Sequence, residues 1–591
     1  MLGSDHVIIL LNVHARVVIF DSRKRERHGK SVGKAREGGK GGDRLLLMDY
    51  KILIVPGCNW TLWFSSEAVT LACGLHALLA VRACEQISDW RTGLQGTSAW
   101  GEKCFETLPE ANDWVRFEKY ASRVRTLRFR PAKYDLEIYP LLDDVARTRT
   151  SLEILPNMHT LEWIYASTAH MERCKLFLHR RLRHLSVTAP SQLDPRPDFY
   201  TDLCARAPHL HSLTLFVNYP GIPIDAELRV LLQNLPELRK IVLPEFHHTS
   251  AVIEQLSQAK NITVVDFNQD LKLGYGSPAN VASFAPVLKE GAFPCLRELN
   301  LSARIDDVDR FFRSSFAPIH ITSLYINSYT DHTPNEVHAF LTTLSQQCQL
   351  LSKLNVQLYH KVLPLNLPAD QQLSYATIKP ILSFPNLSSF ELVHKYPLKI
   401  TLADLEDLAG KWPHLETLML NAEPLFIHED AFNLDLCALL PFAGHCPRLR
   451  VLGLYINATE AEIPSSHTPL EPFRALRTLS LGTSQVRHTN AVAMFLSRIC
   501  PVRCRLDMGI TWTEFGTEDD RFLPPELRYP LQKRCSAWHV VEKLLPSLIR
   551  LRRDEQERSR ALQEEVEDLR VRNRLLMDKA DTKTRDSCII V

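Results

Sequence analysis

Hydrophobic positions recur along this chain in one short phrase: an apolar residue, two variable ones, then an apolar–variable–apolar triplet, often led by proline. The phrase repeats fourteen times between Arg123 and Met508. Clear copies are Pro208-His209-Leu210-His211-Ser212-Leu213-Thr214-Leu215, Pro294-Cys295-Leu296-Arg297-Glu298-Leu299-Asn300-Leu301 and Pro447-Arg448-Leu449-Arg450-Val451-Leu452-Gly453-Leu454. The first apolar positions are Val124, Met158, Leu182, Leu210, Leu238, Ile262, Leu296, Ile321, Leu351, Leu387, Leu415, Leu449 and Leu476, with Arg503 in that place in the last copy. The triplet has the period of a strand, so Leu213 and Leu215 share one face and Thr214 takes the other. Between phrases, apolar residues follow helical spacing at 226–235, 251–259, 336–344, 402–408 and 491–499. Thr333-Pro334-Asn335-Glu336 predicts a capping box with proline in the first helical turn, and Thr401 with Asp404 is a shorter relative of it.

The mean spacing of about 29 residues falls in the leucine-rich-repeat range. The fold expected is therefore α/β, an irregular leucine-rich-repeat solenoid over 123–510, because a lone strand–loop–helix unit cannot bury its own apolar face. Irregularity is expected because intervals run from about 24 to 36 residues and the loop asparagine of the strict pattern is mostly missing. Strands would line the concave side and helices the convex side. The residues alternating with the strand leucines would then face outward: Ser212, Thr214, Glu298, Asn300, Ser323, Tyr325, Lys353, Asn355, Ser389, Glu391, Thr417 and Met419. This mixture suits a protein ligand; nucleic acid would call for an arginine and lysine stripe, which these positions lack.

Composition changes this picture little. The chain has 591 residues, 45% of them hydrophobic, with a net charge of +2, which makes no general case for nucleic acid or membrane binding. Its 14 cysteines have no regular spacing and read as buried thiols in a reducing compartment. No run of apolar residues reaches transmembrane length. No glycine-x-serine-x-glycine elbow, His-Glu-x-x-His helix or Rossmann glycine triplet is present, so neither an enzyme nor a cofactor is expected. Cys500, Cys504, Cys535 and His539 form the one zinc-like set, with buried thiols as the simpler reading, and His247-His248 read as ordinary loop residues.

The ends differ in character. Residues 1–66 carry a basic, glycine-rich stretch from Arg23 to Arg44, which reads as a disordered extension or a nuclear-localisation signal. Residues 67–122 read as helical. There, Asp113-Trp114, Arg116-Phe117, Tyr120-Ala121 and Arg123-Val124-Arg125 resemble the stretch after the F-box in fungal F-box proteins with degenerate leucine-rich repeats. The resemblance covers roughly 108–510. The F-box itself is degenerate or missing: no leucine-proline opening precedes residue 108, and only Leu78–Trp90 matches its last helix. The resemblance implies a non-catalytic substrate receptor of a cullin ubiquitin ligase, held through a Skp-type adaptor, in cytoplasm or nucleus. The alternative is an F-box-free scaffold.

After a linker at 511–537, residues 538–579 predict a long amphipathic helix. In it, Leu562, Leu569 and Leu576 alternate with Val566 and Asn573 as a short heptad seam, so a weak homodimer through 562–576 is expected as one use of the helix. The tail 580–591 ends Cys588-Ile589-Ile590-Val591, the layout of a prenylation signal with an unusual last residue. Membrane association is expected only if Cys588 carries a lipid, and then reversibly.

Overall fold

The computed structural model describes residues 108–129, 139–164, 169–189, 198–217, 224–268, 276–358, 371–425, 434–458, 470–510 and 525–587, with Phe105 and the backbone strands His6–Asn12, Arg16–Ile19 and Asn59–Phe64. The possible F-box remnant Leu78–Trp90 and the tail cysteine Cys588 lie outside the described residues. The chain divides into two units, Met1–Val281 with Lys289–Leu296, and Ala282–Leu288 with Arg297–Val591.

The N-terminal unit begins its repeats with helix α1 (Ala111–Ala121). Glu110 and Asp113 close a capping box at its start, and Trp114, Phe117 and Ala121 are buried. Six strands follow: β1 (Val124–Phe129), β2 (Thr160–Trp163), β3 (His184–Thr188), β4 (Ser212–Phe216), β5 (Lys240–Pro244) and β6 (Val264–Asn268). Each pairs in parallel with the next. Parallel neighbours need a crossover, and helices such as Asp198–Arg206, Asp225–Asn234 and Ser250–Ser257 supply it. The register stacks Leu127, Leu161, Leu185, Leu213, Ile241 and Val265 into one buried row. Phe129 stacks on Trp163 in the next row, ring centres 4.2 Å apart.

The C-terminal unit holds eight strands in one parallel sheet: β7 (Glu298–Ser302), β8 (Ser323–Ser328), β9 (Lys353–Leu358), β10 (Ser389–His394), β11 (Thr417–Leu420), β12 (Val451–Leu454), β13 (Thr478–Gly482) and β14 (Arg505–Met508). Leu299, Leu324, Leu354, Phe390, Leu418, Leu452, Leu479 and Leu506 form its buried row. Both units are thus α/β leucine-rich-repeat solenoids, and the fold class expected from the phrase holds.

The helical spacing also holds, in Pro334–Gln347, Leu402–Lys411 and Thr489–Ile499. The Thr333–Glu336 capping box is reciprocal, with bonds of 2.8 and 3.3 Å, and Thr401 with Asp404 matches it. The irregularity has identifiable causes. Pro380 sits in the 3-10 segment Lys379–Ser383, so in the described part of the crossover before β10 the α-helix is a single turn, Tyr375–Ile378. Where the repeat asparagine is missing, other groups take over its bonding. Asn421, two residues ahead of that position and at φ 50°, makes such bonds: its side-chain carbonyl accepts the His394 N–H at 2.8 Å and its side-chain amide donates to the Tyr396 carbonyl at 2.5 Å. Further along, the Ser484 hydroxyl accepts the Ile456 N–H at 2.9 Å and donates to the Leu454 carbonyl at 3.3 Å.

The last helix spans Pro525–Ser587. It therefore starts ahead of Trp538, and 525–537 is helix where a linker was expected. Proline suits the first position of a helix, and Leu531 and Arg534 already dock in this stretch, Arg534 donating to the Thr483 carbonyl at 3.1 Å. Trp538, Val541, Leu545 and Ile549 are buried against Thr489–Ile499 and the end of the sheet. The Trp538 indole N–H donates to the Ser484 carbonyl at 3.0 Å.

Candidate protein-binding face

The period of two that buries the leucines sends the intervening residues to the opposite, open face of each sheet. In the C-terminal unit, register places Glu298, Ser323, Lys353, Ser389 and Thr417 in one row across five strands. Asn300, Tyr325, Asn355, Glu391 and Met419 form the next row. All ten side chains are exposed or half-buried. Ser212 and Thr214 are half-buried on the corresponding face of the N-terminal unit, beside Lys240 and Val242 in register. Sequence alternation therefore placed each residue on the open side of its strand.

Within the second row the chemistry is uneven. The Asn355 amide donates to Glu391 Oε2 at 2.8 Å. Two acceptors close by, Asn355 Oδ1 and Gln357 Oε1 further along the same strand, are buried without a hydrogen-bond partner among the described residues. Burial pushes the Glu391 carboxyl above the usual carboxylate range. A desolvated carboxylate flanked by unfilled carbonyls favours a donor, above all a lysine or arginine side chain brought by a partner. Beside it, Met419 lies across Gly453 of the next strand, where a Cβ would overlap the methionine sulfur and methyl. Glycine at this one position gives the flexible thioether its place on the face.

Other sequence candidates fall elsewhere. His247 and His248 lie in the loop after β5, as expected, but are buried there, and burial pushes the His248 imidazole down to about 4. In the C-terminal unit, buried His332 is likewise pushed down to about 4 and His394 to about 3. Cys500 is buried, Cys504 and Cys535 are half-buried, and His539 pairs with Glu542 at 3.1 Å. Among the described residues no cluster of His, Cys, Asp or Glu has the arrangement to hold a metal ion. Nor is any described helix long and apolar enough to cross a membrane.

The N-terminal unit also carries a row of basic residues that alternation along a single strand does not mark. The residue just after the marker position is Arg125, His159, Arg183, His211 and Arg239 at the start of five successive strands. It belongs to no triplet, so alternation within the strands does not reveal it.

No family model matches the chain, and no curated protein does. Among solved structures the chain is similar to Rad7 in its complex with Elc1 from yeast, at 15% identity and a TM-score of 0.31, over 59% of this chain and 82% of that one. It is also similar to the leucine-rich-repeat-containing protein LegL7 from Legionella pneumophila, at 17% identity and a TM-score of 0.30, over 51% of this chain and 94% of that one. A third is the Toll–Spatzle complex of Drosophila, at 12% identity and a TM-score of 0.25, over 70% and 56%. The repeat assignment rests on the strands, register and buried rows described above.

Proposed function

We propose that this chain is a non-catalytic protein-recognition subunit, the substrate receptor of a cullin-type ubiquitin ligase, which holds its substrate on the open face of the repeats. The observation that carries the recognition half is the in-register row Asn300, Tyr325, Asn355, Glu391 and Met419. It combines an aromatic, a flexible thioether and a desolvated carboxylate with unfilled acceptors, a surface that gains from a protein partner what it lacks alone. The ligase half is supported by the resemblance of 108–127 to the stretch following an F-box, now seen as a buried-faced helix running directly into the first repeat strand. Co-purification tests this half. The full chain should carry a Skp-type adaptor and a cullin, and a chain beginning at Asp113 should carry neither. Absence of the adaptor from both would leave a scaffold without ligase function.

A second reading is favoured by the last helix. Its apolar residues Leu562, Val566, Leu569 and Leu576 are 62, 45, 54 and 65% exposed. On this reading the chain is an F-box-free scaffold that pairs with a second copy through 562–576, with Asn573 setting the register. Sedimentation would show a concentration-dependent dimer abolished by Leu569→Asp; a monomer at all concentrations would remove the reading.

A further inference from the structure

The N-terminal unit carries a second surface, at the edge where its strands begin. The His159 N–H donates to the Arg125 carbonyl at 2.9 Å, Arg183 to His159 at 2.9 Å, His211 to Arg183 at 2.8 Å and Arg239 to His211 at 2.9 Å. This backbone ladder lines up five basic or titratable side chains, one per strand. His159 and Arg239 are exposed, and Arg125, Arg183 and His211 are half-buried.

The row keeps its positive charge. The Arg125 guanidinium donates to the carbonyls of Ser122 and Val124, at 2.7 and 3.4 Å, and pairs with no carboxylate among the described residues. Arg239 makes no ion pair among the described residues. Arg183 shares the single carboxylate of Glu237, at 3.5 Å, with His209 at 2.7 Å and His211 at 3.3 Å. Among the described residues, Glu237 is the one carboxylate that pairs with an arginine of this row. Two basic residues further along the strands are neutralised instead: Arg128 pairs with Glu162 and Lys240 with Asp266, both at 2.9 Å. Burial, together with the Arg125 charge, holds His159 below the usual imidazole range.

The spacing of the arginines selects the shape of the ligand. Adjacent strands lie about 4.8 Å apart, so Arg125, Arg183 and Arg239, on alternate strands, recur every ~9.6 Å. A polyproline-II chain turns once in three residues and advances about 9.3 Å in doing so. Carboxylates at every third residue of such a chain meet the three guanidiniums in turn. The row contains no Phe, Tyr or Trp on which successive bases would stack, as a single-stranded nucleic acid requires.

We infer that the strand-entry edge of the N-terminal unit is a docking site for an acidic, proline-rich extended protein segment, held by Arg125, Arg183 and Arg239. The site is separate from the open-face row of the C-terminal unit and does not rest on the ligase reading.

Fluorescence anisotropy with the full chain tests it, using a short labelled peptide of Pro-Pro-Glu repeats. The same peptide with Gln for Glu, and an oligothymidylate of equal length, serve as competitors. The Glu peptide should bind, weaken steeply with added salt, and resist both competitors. Arg239→Ser and Arg125→Ser should each weaken it about fivefold, the scale of an exposed ion pair. Arg239→Lys should retain most of the binding, which separates loss of charge from loss of fold. Equal affinity for the Gln peptide, indifference to both serine substitutions, no binding of the Glu peptide, or tighter binding of the oligonucleotide would each overturn the inference.

Discussion

Asn355 and Glu391, on neighbouring strands β9 and β10, are joined by a 2.8 Å hydrogen bond that satisfies one carboxylate oxygen and leaves the burial of the charge otherwise unrewarded. Such a carboxylate is a cost to the free protein and an asset to a complex. Glu391→Gln keeps the acceptor for Asn355 and removes the buried charge. The folded carboxyl is raised above its unfolded value, so the charge opposes folding at neutral pH and the substitution should raise the denaturant midpoint there. The same variant should lose affinity for the partner. A gain in stability with a loss of binding marks a residue kept for function; a loss of both would mark a structural one.

Strand phase is tested by adjacent residues. Leu299 is fully buried and Glu298 exposed. Leu299→Ala should cost about 2–5 kcal/mol as a cavity in the buried row. Glu298→Ala should change stability by no more than ~0.5 kcal/mol. Denaturant midpoints measured side by side would refute the phase if the two losses were equal.

Asn421 is the next test. Asn421→Ala strands two buried backbone groups, the His394 N–H and the Tyr396 carbonyl, at about 1–3 kcal/mol each, and also forces alanine to positive φ. Asn421→Gly relieves the backbone and leaves the groups unpaired. Glycine should therefore be destabilising, but less so than alanine; equal stability of glycine and wild type would show that the hydrogen bonds contribute nothing.

Stability should fall as the medium is acidified. His394, His332 and His248 are buried, which pushes them down to about 3, 4 and 4, below the ~6.5 of an unfolded histidine. Between pH ~6.5 and those lower values only the unfolded chain takes up the protons, so each neutral histidine's contribution is full above pH ~6.5 and is lost as pH falls. The slope is about 1.4 kcal/mol per pH unit for each histidine. Urea midpoints from pH 7 downward would show it, and His394→Asn should flatten the slope; an unchanged slope would mean that His394 titrates alike in both states.

Much of this architecture was legible in the sequence because burial enforces it residue by residue. The leucines of each triplet fix which side chains face out, and Thr333 with Glu336 fixes a helix start through neighbours in the chain. What stayed hidden depends on residues far apart. Ser484 replaces a missing asparagine only because it reaches Leu454 and Ile456, and Met419 needs the open space over Gly453 one strand away. The arginine–histidine row becomes a row only when the strands stack in register. The early start of the last helix follows from Arg534 and Trp538 docking on Thr483 and Ser484, contacts that helical periodicity does not contain.

The claim that the open repeat face recruits a protein to a ligase is tested most directly by quantitative co-purification of the full chain beside a Tyr325→Ala, Glu391→Lys double variant. Both substitutions lie on the outward row and leave the buried leucines untouched. The account predicts that both chains carry the Skp-type adaptor and cullin equally, and that only the unsubstituted chain also carries a further protein and supports ubiquitin transfer to it. An identical set of partners on both chains, or no adaptor on either, would contradict it.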